Sequence, residues 1–236
     1  MDIRIFCGKC SRQIGEDDHY CIFCGEAVKK KNGISSKQIQ EKRDNSLMDN
    51  DEVTIIQNLE DAKTDIEKAE EFKKQGKYEE AITLYSTHLS FHPENSDAWA
   101  NKGFSLSVLG KHNEAIECFD KALELTPSLP QLILLNKGNT LINLQEYKEA
   151  ILNFNSALDK DRKLVYAWNA KAIAYNSLNM PERALKCCEE SLKIEPESAE
   201  ILFHKARALK MLDKHEEARE CEKKAKEIDP SIMKIL

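Results

Sequence analysis

The chain has 236 residues and a formal net charge of −6, from 35 lysines and arginines against 41 aspartates and glutamates. Its eight glycines and six prolines are few, which argues against an all-β fold built from many turns. The longest aliphatic run, 132–135, is too short to cross a membrane, and the first residues lack the apolar stretch of a secretory signal. The sequence therefore predicts a helical, cytoplasmic protein without membrane contact, and its mild acidity gives no general reason to expect nucleic-acid binding.

The N-terminal segment contains two Cys-x-x-Cys pairs separated by ten residues. Because two intervening residues let both thiolates of a tight turn face one ion, two such turns complete a tetrahedral sulfur site of the kind that Zn²⁺ occupies. A segment this short cannot bury enough surface to fold alone, so the metal would supply its folding free energy, on the order of 10–16 kcal/mol. The expected ligands of one structural zinc ion are Cys7, Cys10, Cys21 and Cys24.

These pairs, in Phe-Cys-Gly-Lys-Cys and Tyr-Cys-Ile-Phe-Cys-Gly, resemble the short zinc-ribbon modules found at the N-termini of many microbial proteins. The resemblance implies a zinc ribbon over residues 1–28. Since all four ligands come from the protein, no position is open for a substrate, and the ion is structural rather than catalytic. A rubredoxin-like iron site, two disulfides and a redox-sensing or metal-sensing switch remain as alternatives.

Residues 29–60 lack a hydrophobic pattern, which predicts a flexible charged linker. The linker begins with the basic run Lys29–Lys31 and becomes acidic near Asp51 and Glu52. An alternative function follows from this charge, in which the zinc ribbon and the basic run contact nucleic acid while the C-terminal part recruits proteins. No aromatic residue lies between the linker's cations, so nucleic acid is not the expected partner.

The remainder of the chain repeats with a period of 34 residues and one step of 35. Both tryptophans, Trp99 and Trp168, fall in one column of the repeat, and four of the six prolines end a repeat. A period in this range indicates stacked supersecondary units. Small residues occupy two columns, Ala69, Gly103, Gly138, Ala172 and Ala206, and Ala81, Ala115, Ala150, Ala184 and Ala218.

Within each repeat the apolar residues follow helical spacing, which predicts two amphipathic helices per unit. The pattern Trp-x-x-Lys-Gly-x-x-Leu from Trp99, followed by Ala115-x-x-x-Phe119 and Pro127, resembles the tetratricopeptide repeat. The resemblance implies an all-α fold over residues 61–236, a right-handed helical solenoid of five tetratricopeptide-like helix pairs whose first helices line a concave groove. The five repeats are expected near 62–95, 96–130, 131–164, 165–198 and 199–232.

A column of five lysines in the repeats has two interpretations. It is either a basic ladder for an anionic ligand or a set of lysine stems that cover apolar surface. The lysines are Lys68, Lys102, Lys137, Lys171 and Lys205.

The last repeat has features of the end of an array. Glu222 and Lys226 replace apolar residues, as expected for an outer helix with no repeat packed on it. The apolar residues after Pro230 either fold back on the last helix or mediate self-association; we expect folding back and a monomer.

The expected binding site is the concave groove, where asparagines lie among apolar residues. Because an amide both donates and accepts hydrogen bonds, these asparagines can bind a peptide backbone of any sequence, and the apolar positions then select side chains. Relatives of this repeat family use groove asparagines to hold extended peptides. The residues expected to bind peptide are Asn101, Phe104, Asn136, Asn139, Asn143, Tyr166, Asn169, Ile173 and Asn176, and the fifth repeat adds Phe203, His204, Arg207 and Met211.

The sequence contains no Ser-His-Asp order, no paired carboxylates at one site and no glycine-rich phosphate loop, so we do not expect an enzyme. The carboxylate-clamp version of the repeat family needs lysines and arginines where Glu70 and Leu132 stand, so an acidic chaperone tail is not the expected ligand. We interpret the chain as a protein-interaction adaptor or scaffold that binds a peptide or partner surface, with the zinc ribbon as a second module.

Overall fold

The computed structural model describes residues 5–6, 13–14, 65–125 and 127–232. The four N-terminal cysteines and the predicted linker over 29–60 lie outside the described residues. The chain divides into two compact units, one ending at Leu109 and the other beginning at Gly110. In the part of the chain that the structure describes, no helix combines the length and the apolar composition that a membrane span needs.

The first unit contains a short antiparallel strand pair and three helices. Strand β1 (Ile5–Phe6) pairs with strand β2 (Gln13–Ile14), so that Ile5 lies opposite Ile14 and Phe6 opposite Gln13. Helix α1 is described over 65–74, and α2 (Tyr78–Phe91) and α3 (Ser96–Val108) follow it. The core of these helices consists of Ala69, Ala81, Tyr85, Leu89 and Ala98.

The second unit is a stack of helices in which each helix contacts the next one along the chain. These helices are α4 (His112–Glu124), α5 (Pro130–Asn143), α6 (Tyr147–Lys160), α7 (Val165–Ser177), α8 (Pro181–Ile194), α9 (Ala199–Met211) and α10 (His215–Ile228). Contacts also join α7 to α5 and to α9, so the first helices of these repeats form one layer. Of the helix pairs predicted from the periodicity, this unit contains α5 with α6, α7 with α8 and α9 with α10.

The columns of small residues allow paired helices to approach closely. Ala150, Ala184 and Ala218 are fully buried. An added Cβ on Gly138 of α5 would lie 2.4 Å from Cε1 of Phe154 on α6, so this contact leaves no room for a methyl group. The sequence column therefore marks where the backbone of one helix lies against the side chain of its partner.

The turn after each first helix contains a residue with positive φ. Gly110 has a φ of 78°, and the same position in the next three repeats is held by Gln145, Asn179 and Asp213 at 57–62°. After α5 the backbone N–H of Glu146 donates to the Leu141 carbonyl at 2.9 Å, which is the hydrogen bond of a Schellman motif. This left-handed residue lies in the turn between the end of the first helix and the start of the second.

The end of the described chain packs on the last helix pair. Ile232 is buried in a cluster with Ala199, Leu202 and Ala225. Of the two alternatives for the apolar tail, this burial favours folding back, and residues 233–236 lie outside the described residues. Glu222 of α10 also forms an ion pair with Lys210 of α9.

Candidate functional site

The candidate site in the second unit is the row of side chains that α5, α7 and α9 present between their packing columns. On α5, Leu132 is 42% exposed, Asn139 and Asn143 are exposed, and Asn136 is half-buried. No hydrogen bond from these three amides to another described residue is present. Free amides beside an exposed apolar side chain are suited to contact both the backbone and the side chains of a peptide.

Helix α7 continues this row with Tyr166, Asn169, Ile173 and Asn176. These residues are three or four positions apart, so they lie on one face of the helix. Tyr166 is 70% exposed at the start of the helix, and Ile173 is half-buried. A large exposed aromatic ring is a typical anchor for a ligand.

The two asparagines of α7 differ from those of α5 because they are buried against α9. Asn169 Nδ2 donates to Glu200 Oε1 at 2.8 Å, and Asn176 Nδ2 donates to the backbone carbonyl of His204 at 3.2 Å. Their residues are only 5% and 3% exposed. Both amides therefore join neighbouring repeats, and peptide binding by them stays a prediction.

His204 of α9 lies beside these amides and is 4% exposed. Its Nε2 is 3.9 Å from Glu200 Oε1, which is too far for a hydrogen bond. Burial, followed by the positive charge of Arg207, lowers the pKa of His204 to about 4, so the ring is neutral near pH 7. The sequence analysis does not name Glu200 as a site residue. Its repeat column also contains Leu132 and Tyr166, and this shared column is the signal that identifies it.

The two predicted residues of the second repeat lie in the first unit and are described separately. Asn101 Oδ1 accepts a hydrogen bond from Lys73 Nζ at 2.7 Å, so its acceptor is already used. The ring of Phe104 is 36% exposed and meets the ring of Tyr78 edge-on, with 6.3 Å between the ring centroids. Burial lowers the pKa of Lys73.

The lysine column makes contacts that fit packing rather than a row of free cations. Lys102 Nζ lies 5.4 Å from the ring centroid of Trp99, and Lys171 Nζ lies 4.9 Å from that of Trp168. Lys137 Nζ donates to a carboxylate oxygen of Asp120 at 2.6 Å. These contacts favour the interpretation that the lysine stems cover apolar surface.

The described residues contain no group of three or more His, Cys, Asp or Glu side chains placed to hold a metal ion. Burial raises the pKa of the Cys187 thiol to about 11 and that of Cys188 to about 12, so both stay protonated near pH 7. The predicted zinc ligands are outside the described residues, but strands β1 and β2 flank the first Cys-x-x-Cys pair in sequence.

Three family models described as tetratricopeptide repeat match the chain, and together they cover just over half of it. One matches residues 96–129 and 165–198, a second matches 133–163, and a third matches 187–220.

Curated relatives share this repeat region. Tetratricopeptide repeat protein 12 of Homo sapiens is 33% identical over 99 residues, which are 42% of this chain and 14% of that protein. The DnaJ homolog subfamily C member 7 homolog of Schizosaccharomyces pombe is 28% identical over 179 residues, covering 70% of this chain and 38% of that protein. The matches therefore span well under half the length of these relatives.

Solved structures show the same fold. MamA from Desulfovibrio magneticus RS-1 aligns with a TM-score of 0.66 at 22% identity, over 72% of this chain and 96% of that chain. YrrB, whose structure is described as a tetratricopeptide repeat protein with an unusual peptide-binding site, aligns with a TM-score of 0.63 at 22% identity. That alignment covers 78% of this chain and 95% of the YrrB chain.

Proposed function

Because the chain belongs to the tetratricopeptide repeat family, we propose that it is a protein-interaction adaptor, and not an enzyme, that binds an extended peptide of its partner across α5, α7 and α9. The family provides the fold, and fold alone does not assign a ligand. The proposal therefore depends on the side chains that these three helices leave without partners.

The observation that carries the proposal is the exposed mixture of apolar and amide side chains on contacting helices. Leu132 of α5 and Tyr166 of α7 occupy one column of the repeat, and the exposed amides of Asn139 and Asn143 lie on the same helix as Leu132. The amides would bind the peptide backbone, while the leucine and tyrosine would contact apolar side chains. The peptide-binding site named for YrrB is consistent with this use of the fold.

The experiment is site-specific photo-crosslinking with the full chain in lysate of the source cells. A benzophenone amino acid replaces Tyr166 in one variant and Leu152 in its matched control. Leu152 is 63% exposed, close to the 70% of Tyr166, but it lies on the second helix α6. Partner peptides should crosslink at Tyr166 and not at Leu152, and mass spectrometry of the adducts identifies them.

A second variant, Asn139→Ala with Asn143→Ala, tests the amides. Both residues are exposed, so the change should leave the circular dichroism spectrum intact while it weakens the crosslink at Tyr166. Equal crosslinking at Tyr166 and Leu152, or none at either position, would contradict peptide binding by these helices.

A structural zinc ion bound by Cys7, Cys10, Cys21 and Cys24 is the second part of this proposal. Four thiolates suit tetrahedral Zn²⁺, and the pairing of β1 with β2 brings together the residues that flank the first Cys-x-x-Cys pair in sequence. Elemental analysis of the purified chain should find one zinc per molecule, and Cys7→Ser with Cys10→Ser should abolish it. A visible thiolate–iron absorbance, or full metal content in that variant, would overturn the assignment.

A further inference from the structure

The interface between α7 and α9 contains buried polar atoms that no other described residue satisfies. These atoms are Oδ1 of Asn169, Oδ1 of Asn176 and both ring nitrogens of His204. All three residues are at most 5% exposed. A buried polar atom without a hydrogen bond carries a desolvation cost, so a ligand group that forms a hydrogen bond to it stabilises the folded protein.

The hydrogen bonds at this interface determine which atoms remain available. A carboxylate can only accept, so the Asn169 amide must present its N–H group to Glu200, and its oxygen is the atom left over. In the same way, the amide nitrogen of Asn176 faces the carbonyl of His204, which leaves the Asn176 oxygen. Both unused amide atoms are therefore acceptors.

The imidazole of His204 adds a third acceptor. A neutral ring has one N–H and one acceptor nitrogen, and neither ring nitrogen of His204 has a hydrogen-bond partner among the described residues. Nε2 is the ring nitrogen near the carboxylate, 3.9 Å from Glu200 Oε1, so the tautomer with its proton on Nδ1 places the acceptor beside Glu200. Asn169, Glu200 and His204 thus bring two neutral acceptors and one negative charge to one place, and Asn176 lies two helical turns, about 10 Å, farther along α7.

We propose that Asn169, Glu200 and His204 form a subsite for a positively charged side chain, a lysine ammonium or an arginine guanidinium, of the peptide that the adaptor binds. The inference rests on the proposed function. Such a group supplies several donors and a charge opposite to that of Glu200. The positive charge of Arg207, which acts on the His204 ring, opposes this binding, so Glu200 must supply the attraction. Tyr166 lies one turn before Asn169 and is 70% exposed, so its ring is available to cover the cation.

The test is a selection from a library of random displayed 12-residue peptides against the full chain, with bound peptides eluted and sequenced. Peptides that bind across α5, α7 and α9 should contain a lysine or arginine at one fixed position. An enriched peptide, labelled with fluorescein, should bind Glu200→Gln roughly tenfold more weakly by anisotropy, since the removed charge pairs with its cation. Glu197→Gln is the matched control, because Glu197 is an exposed acid in the preceding loop and should leave the affinity unchanged.

Replacing the basic residue of the peptide by norleucine should weaken its binding to the wild type by the same factor. The same replacement should not weaken binding to Glu200→Gln any further. This double-mutant comparison separates a direct contact from a general effect of charge. Enriched peptides that crosslink at Tyr166 but lack a basic residue, or that bind Glu200→Gln as well as the wild type, overturn the subsite and leave the adaptor function standing. A library that yields no peptide dependent on Asn139 and Asn143 overturns both.

Discussion

At the scale of single residues, Gly138 shows how the columns of small residues depend on the residues they face. Its position in α5 lies against the ring of Phe154, which is fully buried. In the next repeat the same two columns contain Ala172 and Cys188, which belong to one core cluster. In these two repeats the larger side chain in one column is accompanied by the smaller one in the other, whereas the first repeat combines Ala69 with Tyr85.

We predict that Gly138→Ala lowers the free energy of unfolding. Overpacking against Phe154 costs about 1–3 kcal/mol, and the better helix propensity of alanine offsets up to about 1 kcal/mol of that. Adding Phe154→Cys, which creates the pair used by the next repeat, should give a favourable coupling of about 0.5 kcal/mol or more in a double-mutant cycle. Urea denaturation measures all four proteins, and strictly additive effects would show that the ring contact is not the cause.

The buried imidazole of His204 predicts a dependence of stability on pH. Burial and then Arg207 lower its pKa from 6.5 to about 4, so the unfolded chain binds the proton more readily than the folded one. Stability from this group is complete above pH 6.5 and is lost as the pH falls toward 4. Between pH 7 and pH 5 the loss is about 2 kcal/mol.

Urea denaturation of the wild type and of His204→Gln at both pH values measures this contribution, since the variant differs from the wild type only in this one ring. The wild type should lose about 2 kcal/mol more than the variant. An NMR titration that gives the His204 ring a pKa near 6.5 would rule the effect out.

At the scale of helices and turns, the left-handed residue after each first helix is a site of unequal strain. The repeats use glycine at Gly76 and Gly110 but Gln145, Asn179 and Asp213 later in the chain. Left-handed backbone costs a residue with a Cβ roughly 1–2 kcal/mol, and asparagine and aspartate tolerate it better than glutamine. Gln145 is therefore the least favourable residue of the column.

We predict that Gln145→Gly raises the free energy of unfolding by about 0.5–1 kcal/mol, because relief of the strain exceeds the added entropy of the unfolded chain. Gln145→Ala removes the same exposed side chain but keeps the Cβ, so it should give no gain. Thermal and urea unfolding compare the three proteins. Equal stabilisation by both substitutions would point to the glutamine side chain instead of the backbone.

The repeat columns predict the helices well because each column reports the local packing of one helix against its partner. Trp99 and Trp168, for example, lie in one column, and each indole N–H donates to the chain preceding its helix, at the carbonyls of Pro93 and Arg162. The burial of Asn169 was harder to predict, since it depends on Glu200 in the next repeat. A polar residue looks the same in sequence whether it faces solvent or a partner one repeat away.

At the scale of the whole molecule, the outer face of α10 bears on self-association. Glu222 and Lys226 occupy the columns that contain the buried Phe154 and Leu158 in the third repeat. Glu222 is paired with Lys210, and Lys226 is exposed. A helix face with the spacing of a packing surface but with charged side chains resists association with a second copy.

We predict that Glu222→Leu with Lys226→Leu makes the protein self-associate at least tenfold more strongly than the wild type, which we expect to be monomeric. Burying each leucine contributes about 1.5–3 kcal/mol, and about 1.4 kcal/mol already changes an association constant tenfold. Lys223→Leu with Glu227→Leu is the matched control, because it removes an exposed pair of oppositely charged residues from the same helix and adds the same two leucines. Sedimentation velocity over a range of concentrations should show dimers for the first variant and mainly monomers for the control. Equal association of both variants would mean that added apolar area, and not the packing register of α10, drives it.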